Sequence, residues 1–172
     1  MGLLDVLNQY QQQPNQPPPG IFEDFDQVAR AADPDDLGYG LEEAFNSDIT
    51  PPAEQMIAQL YERSDDDTRA GLLNEILGSL GGGALAGAAG GGMLGGLLRR
   101  MGQDNRPISA QEARDIDPRD IEFAAAQAAQ QNPNVIQRIS RFYARHPQLV
   151  QTLGQAALGI LMSGMARRRR VM

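Results

Sequence analysis

The sequence predicts an all-α protein: two small helical modules joined by a glycine-rich segment and preceded by a disordered Gln/Pro-rich linker. Apolar residues recur at spacings of three and four along most of the chain, which is the spacing of one helix face. Alternating runs of β-branched residues are absent, so we expect almost no sheet. Prolines, glycines and helix-starting Ser, Thr and Asp residues divide the chain into short helices.

Residues 1–20 are predicted to be a short amphipathic turn followed by a linker. The turn carries Leu3, Leu4, Val6 and Leu7, and it needs a partner to hold it. Residues 11–20 are rich in Gln and Pro, with three consecutive prolines, which favours a flexible or polyproline-like linker. Because the positive start and apolar run of a secretory signal are missing, we expect a protein that is not secreted.

Residues 21–80 are predicted to form an acidic helical module. Its first helix presents Ile21, Phe25 and Val28 on one face and ends before Pro34. Later helix starts are indicated by Thr50 before two prolines and by Ser64 before three aspartates, where the helix dipole favours negative charge. Three further groups of apolar residues have helical spacing: Leu37, Leu41 and Phe45; Met56, Ile57, Leu60 and Tyr61; and Leu72, Leu73, Ile76, Leu77 and Leu80.

Residues 81–108 form the predicted glycine-rich segment and linker. Ten of the nineteen residues at 78–96 are Gly, and residues 76–98 carry no charge. In water these glycines cost a helix roughly 0.8–1 kcal/mol each relative to Ala. Three environments therefore stay open: a bilayer, a packed protein contact, and a flexible linker. Helix packing or oligomerisation would use the glycines that recur at every fourth position, which are Gly83, Gly87, Gly91 and Gly95.

Residues 109–172 are predicted to be a basic helical module with an arginine tail. Ser109 and Glu112 match a capping box, and further helices start at about residues 117, 134 and 147. The helix from Asp117 places Ile121, Ala124, Ala125 and Ala128 inward. Residues 149–166 are uncharged, which predicts a helix that lies in an interface or packs on a partner.

The charge is divided between the two halves of the chain. Residues 1–76 hold sixteen acidic residues and three Arg, whereas residues 77–172 hold six acidic residues and twelve Arg, within a net charge of −7. Such asymmetry indicates either a partner surface or docking of one half on the other. A solvated acidic face with a basic tag is the simpler alternative.

Nine arginines are candidates for contact with an anionic surface: Arg99, Arg100, Arg138, Arg141, Arg145, Arg167, Arg168, Arg169 and Arg170. Those at 138, 141 and 145 share one helical face by spacing, and those at 167–170 are consecutive. Near an anionic membrane each of the four consecutive arginines would add about 1 kcal/mol. Nucleic acid is disfavoured as a partner, because no recognition motif or aromatic platform accompanies the basic residues.

Composition excludes several kinds of chemistry. There is no Cys, no Lys and a single His, which excludes thiolate and multi-histidine metal sites, a Schiff-base lysine and a P-loop. Only His146 could act as a base near neutral pH, and its position before Pro147 indicates a helix junction. We therefore expect no enzyme activity, no cofactor and no small-molecule substrate.

The first eight residues, Met-Gly-Leu-Leu-Asp-Val-Leu-Asn, and the Gly/Leu/Ala-rich middle resemble the YidB-like small uncharacterised bacterial proteins. The resemblance implies a bacterial, non-secreted protein of unknown role. It transfers no site residue. The acidic module and the C-terminal helices depart from the pattern expected of that family.

These observations predict a non-enzymatic structural or assembly factor. It would associate with itself or with other protein subunits, and with a membrane or membrane complex, through residues 76–100 and 149–170. The alternative is a soluble adaptor or assembly subunit whose acidic and basic halves dock on each other. We expect either form in the cytoplasm, and the first at the cytoplasmic face of a membrane.

Overall fold

The fold is that of a computed structural model of the chain. The structure describes residues 2–13, 16–88, 93–104 and 106–171, without the side chains at 81–88, 93, 94, 98, 101 and 102. Over these residues the chain forms eleven α-helices and one 3-10 turn and contains no β-strand. The prediction of an all-α fold is confirmed.

The chain divides into two compact units. Unit 1 consists of Met1–Pro52 together with Ser140–Met172, and unit 2 consists of Ala53–Ile139. The helices of the first segment are α1 Leu3–Gln12, α2 Ile21–Ala31 and α3 Pro34–Phe45. Unit 2 contains α4 Ala53–Arg63, α5 Asp66–Ala88, α6 Met93–Asp104, α7 Ala110–Arg114 and α8 Pro118–Gln131. Helix α9 is Asn134–Tyr143, and it is followed by α10 Pro147–Val150, the 3-10 turn Gln151–Leu153 and α11 Gln155–Val171.

Unit 1 is organised around helix α11. Every residue from Ala157 to Ala166 is buried, as expected of a helix that is apolar on all sides and therefore needs cover on all sides. Helices α1, α2 and α3 supply that cover. The amphipathic N-terminal segment thus has its partner within unit 1, where it buries Val6, Leu7 and Tyr10.

Unit 2 is a second helical core. Helix α8 packs on α4 and α5 with the inward face that its spacing predicts, because Ile121, Ala124, Ala125 and Ala128 are all buried. Small alanine side chains allow the helices to approach closely. The Tyr61 hydroxyl of α4 donates a hydrogen bond to the Ala113 carbonyl of α7. Removing the phenol from water raises the pKa of Tyr61 to about 12.

The two units are not the consecutive modules, residues 21–80 and 109–172, that composition suggests. Residues 21–80 contribute helices to both units, and residues 140–172 join the first 52 residues. Apolar burial explains this arrangement, because the apolar surface of α11 is covered by helices of the distant N-terminal segment. Composition changes along the chain, but the packing of apolar faces decides which segments form one core.

Candidate functional site

Helices α3 and α11 pack closely in unit 1, and oppositely charged side chains of the two helices meet at their contact. Helix α3 begins with Asp33 as its N-cap, whose carboxylate accepts a hydrogen bond from the Asp35 backbone N–H at 2.9 Å. Pro34 occupies the first turn, where its missing N–H costs nothing. Asp35 and Asp36 follow, so the start of α3 concentrates negative charge at the positive end of the helix dipole.

Asp36 binds two arginines of the tail. Its side chain is only 7% exposed, and it lies 2.9 Å from Arg169 Nε and 3.4 Å from Arg168 Nε. Arg168 also donates to the Asp35 carbonyl at 2.7 Å, and its guanidinium lies 5.5 Å from the centre of the Tyr39 ring. A carboxylate buried this deeply depends on such partners, because losing them would leave an uncompensated charge.

A third tail arginine extends the contact along α3. Arg167 Nη2 lies 2.5 Å from Glu43 Oε2, with both side chains partly exposed. The negative charge of Glu43 raises the pKa of the neighbouring Tyr39 phenol, and burial adds to the effect. Three consecutive residues of α11 therefore bind carboxylates of one acidic helix.

Glycines bring the two helices together. A Cβ atom on Gly40 would overlap the carbonyl oxygen of Leu161 and would lie 2.8 Å from Met165 Cγ. On the facing helix, a Cβ on Gly164 would lie 3.1 Å from Glu43 Cβ. The Gly40 position therefore needs glycine for its space, whereas a methyl group at Gly164 would require its neighbours to give by a few tenths of an ångström. The close approach sets the distance across which the ion pairs form.

The four glycines that were predicted to pack helices together lie in different parts of the chain's structure. The helical backbone of α5 includes Gly83 and Gly87, Gly91 lies outside the described residues, and Gly95 is buried in α6. The glycine contact that the structure does describe uses Gly40 and Gly164 instead. Its signal in the sequence is a pair of glycines, Gly38 and Gly40, inside a segment with helical apolar spacing.

The arginines of α9 and its following turn have separate environments. Arg138 forms an ion pair with Glu75 at 3.1 Å. Arg141 packs its aliphatic stem on α3, where Gly38 leaves room for it. Arg145 lies exposed in the turn after α9. Nearby, the His146 ring is tilted against Phe142 with 5.4 Å between the ring centres.

The remaining candidate arginines are exposed. Arg99 and Arg100 lie on α6, and Arg170 lies at the end of α11. Arg100 contributes to the lining of an open cavity of about 360 Å³ in unit 2, whose apolar side includes Leu97 and Ile116.

Two observations concern metal and membrane contact. Among the described side chains, no group of three or more His, Asp or Glu residues is arranged to hold a metal ion. No helix in the described ranges combines the length and apolar character needed to cross a bilayer. Within the uncharged run at 149–166, residues 157–166 are buried in the core of unit 1, whereas Gln155 and Ala156 are exposed.

Comparisons of the chain with family models, with curated proteins and with solved structures produce no match. The resemblance to YidB-like proteins therefore stays a prediction. The α3–α11 contact is accordingly interpreted from its own chemistry.

Proposed function

We propose that this protein is a non-enzymatic structural or assembly factor that associates with itself or with other subunits through complementary acidic and basic helical surfaces. The observation that carries the proposal is the contact of Arg167, Arg168 and Arg169 with Glu43 and Asp36. It supports docking of acidic on basic surfaces as the mode of association, because the same chemistry is already used inside unit 1.

Charge left on the surface supports association beyond one chain. Arg145 and Arg170 are exposed, and the chain retains a net charge of −7. Opposite surface charges steer two molecules together and fix their orientation, and this effect weakens as salt screens them.

Sedimentation velocity at low and high salt tests the proposal. We expect self-association at low salt that weakens when the salt concentration is raised. The R145Q variant removes one exposed positive charge and should associate less, whereas R119Q removes an exposed charge in unit 2 that already pairs with Asp117 and should behave as the parent does. A monomer that is unchanged at both salt concentrations contradicts the proposal.

Membrane contact through the glycine-rich segment is a second candidate function. The observation that favours it is the exposure of Arg99 and Arg100 directly after the uncharged residues 76–98, since basic residues beside an apolar segment attract anionic lipids. Flotation with anionic and neutral vesicles tests it. We expect binding to anionic vesicles that is reduced in the R99Q/R100Q variant, and failure to float with either vesicle contradicts this candidate.

A further inference from the structure

The groove that holds α11 is formed by the N-terminal segment of the chain. The main partners of α11 are α3, α1 and α2, which all lie within residues 1–52. Roughly one hundred residues, including the whole of unit 2, separate the end of α3 from the start of α11, and closing a loop of that size costs conformational entropy. The groove and the helix that fills it are therefore distant parts of one chain.

The connection into α11 has the character of a hinge. Gly154 directly precedes the helix and has φ of +93°, a conformation that glycine adopts without strain. A Cβ atom there would find no heavy atom within 4 Å, and Gln151, Thr152 and Leu153 are only partly buried. Gln151 Nε2 donates a 3.0 Å hydrogen bond to the Phe22 carbonyl of α2, which ties the turn before Gly154 to unit 1. A change in the direction of α11 would therefore fall at Gly154.

The contacts between α11 and the groove are specific. Gly164 lies close against α3, where an added Cβ would be 3.3 Å from the Gly40 Cα, and Arg167 and Arg169 form ion pairs with Glu43 and Asp36. A second copy of this chain supplies the same glycine space and the same carboxylates. Exchanging identical elements between copies is a low-cost route to a dimer, because each contact is preserved and only the connection changes.

From this geometry we infer that α11 exchanges between copies of the chain, with Gly154 as the hinge and the groove of a second copy as the docking site. The inference rests on the proposed function, because it names the self-association mode. When the protein is dilute, α11 docks in the groove of its own chain, because its covalent connection to that chain keeps its local concentration at the groove high. Exchange prevails as the protein concentration rises.

Cysteine cross-linking tests the exchange, because the chain contains no Cys. A Cβ on Gly164 would lie 3.1 Å from Glu43 Cβ, and disulfides join Cβ atoms about 3.5–4.5 Å apart, so a small shift permits the bond. Full-length E43C and G164C chains are mixed in urea, refolded together at high concentration and oxidised. We expect a disulfide-linked heterodimer that neither chain forms alone.

Two controls accompany this experiment. The E43C/G164C double variant at low concentration should close a disulfide within one chain, which verifies the geometry. A mixture of E43C with R119C, whose cysteine lies on the exposed surface of unit 2, reports random collisions and should give several-fold less heterodimer. If G164C does not fold, E43C is paired with R167C, whose parent side chains are in contact, and a short bis-maleimide replaces the disulfide.

The outcomes separate the inference from the proposed function. A heterodimer above the collision control supports exchange. Self-association in sedimentation velocity without that heterodimer overturns exchange and leaves the proposed function standing. A monomer in sedimentation velocity that forms only the disulfide within one chain overturns both.

Discussion

Gly40 of α3 and Gly164 of α11 face each other so closely that a Cβ built on Gly164 would lie 3.3 Å from the Gly40 Cα. Each glycine weakens its own helix by roughly 0.5–1 kcal/mol relative to Ala. The close approach lets the buried, uncharged part of α11, Ala157–Ala166, pack against a helix that is acidic at its start. The two glycines therefore stabilise the tertiary contact at the expense of the local helices.

Replacing Gly40 with Ala should destabilise the protein by about 1–3 kcal/mol, because the new methyl group overlaps the Leu161 carbonyl and forces the helices apart. Urea unfolding followed by circular dichroism measures the change. Gly96→Ala is the matched control, since a Cβ at this helical position meets nothing within 4 Å. It should stabilise α6 by up to about 1 kcal/mol. Equal effects at the two positions would contradict the proposed role of Gly40.

Asp36→Asn should lower the free energy of unfolding by about 1.5–3 kcal/mol, because Arg169 loses the carboxylate that accepts its hydrogen bond and Arg168 loses its ion-pair partner. Glu43→Gln is the comparison: its ion pair with Arg167 is partly exposed, and such pairs contribute up to about 1 kcal/mol. Denaturant unfolding of both variants measures the difference. A loss for Asp36→Asn no larger than that for Glu43→Gln would show that burial of Asp36 does not matter.

Tyr61→Phe should destabilise unit 2 by about 1 kcal/mol, since the Ala113 carbonyl loses its donor. The pH dependence has a defined sign. Burial raises the pKa of Tyr61 to about 12, from about 10 in an unfolded chain. The stability that the neutral phenol contributes is complete below the unfolded pKa and is lost as the pH rises through 10 to 12. Phenolate absorbance during an alkaline titration should show a component that titrates near pH 12 and that Tyr61→Phe removes.

Glu112 should make stability sensitive to acid. Hydrogen bonds from Arg106 and from Ser109 lower the pKa of Glu112 to about 2, below the value of about 4.3 for an unfolded chain. Its contribution is therefore present above the unfolded pKa and is lost as the pH falls through that value towards 2. The stability difference between the parent and Glu112→Gln should shrink over this interval. A difference that does not change with pH would contradict the shifted pKa.

Two helix starts were predictable because they depend on neighbouring residues. Thr50 and Ser64, by contrast, do not cap the helices that follow them, since their hydroxyls donate to the Ala44 and Leu60 carbonyls. Ser109 and Glu112 form the capping box that their spacing predicts, and Asp117 before Pro118 is the N-cap of α8. The apolar stripe of α5 is also buried from Leu72 to Leu80. Each of these features involves residues a few positions apart, whose side chains meet in any helix.

Only the tertiary structure shows which segments the uncharged run and the arginine tail pack against. An apolar helix has the same residues whether a bilayer, a partner or its own chain covers it, so spacing alone could not assign residues 149–166 to the core of unit 1. Nor could it pair Arg167 with Glu43, since these residues lie 124 positions apart. The amino-acid pattern indicated most of the helices, because hydrogen bonds and caps are local, but it did not show the interruption at residues 151–154 of the helix expected from Pro147. Burial of apolar surface between distant segments decided which helices meet.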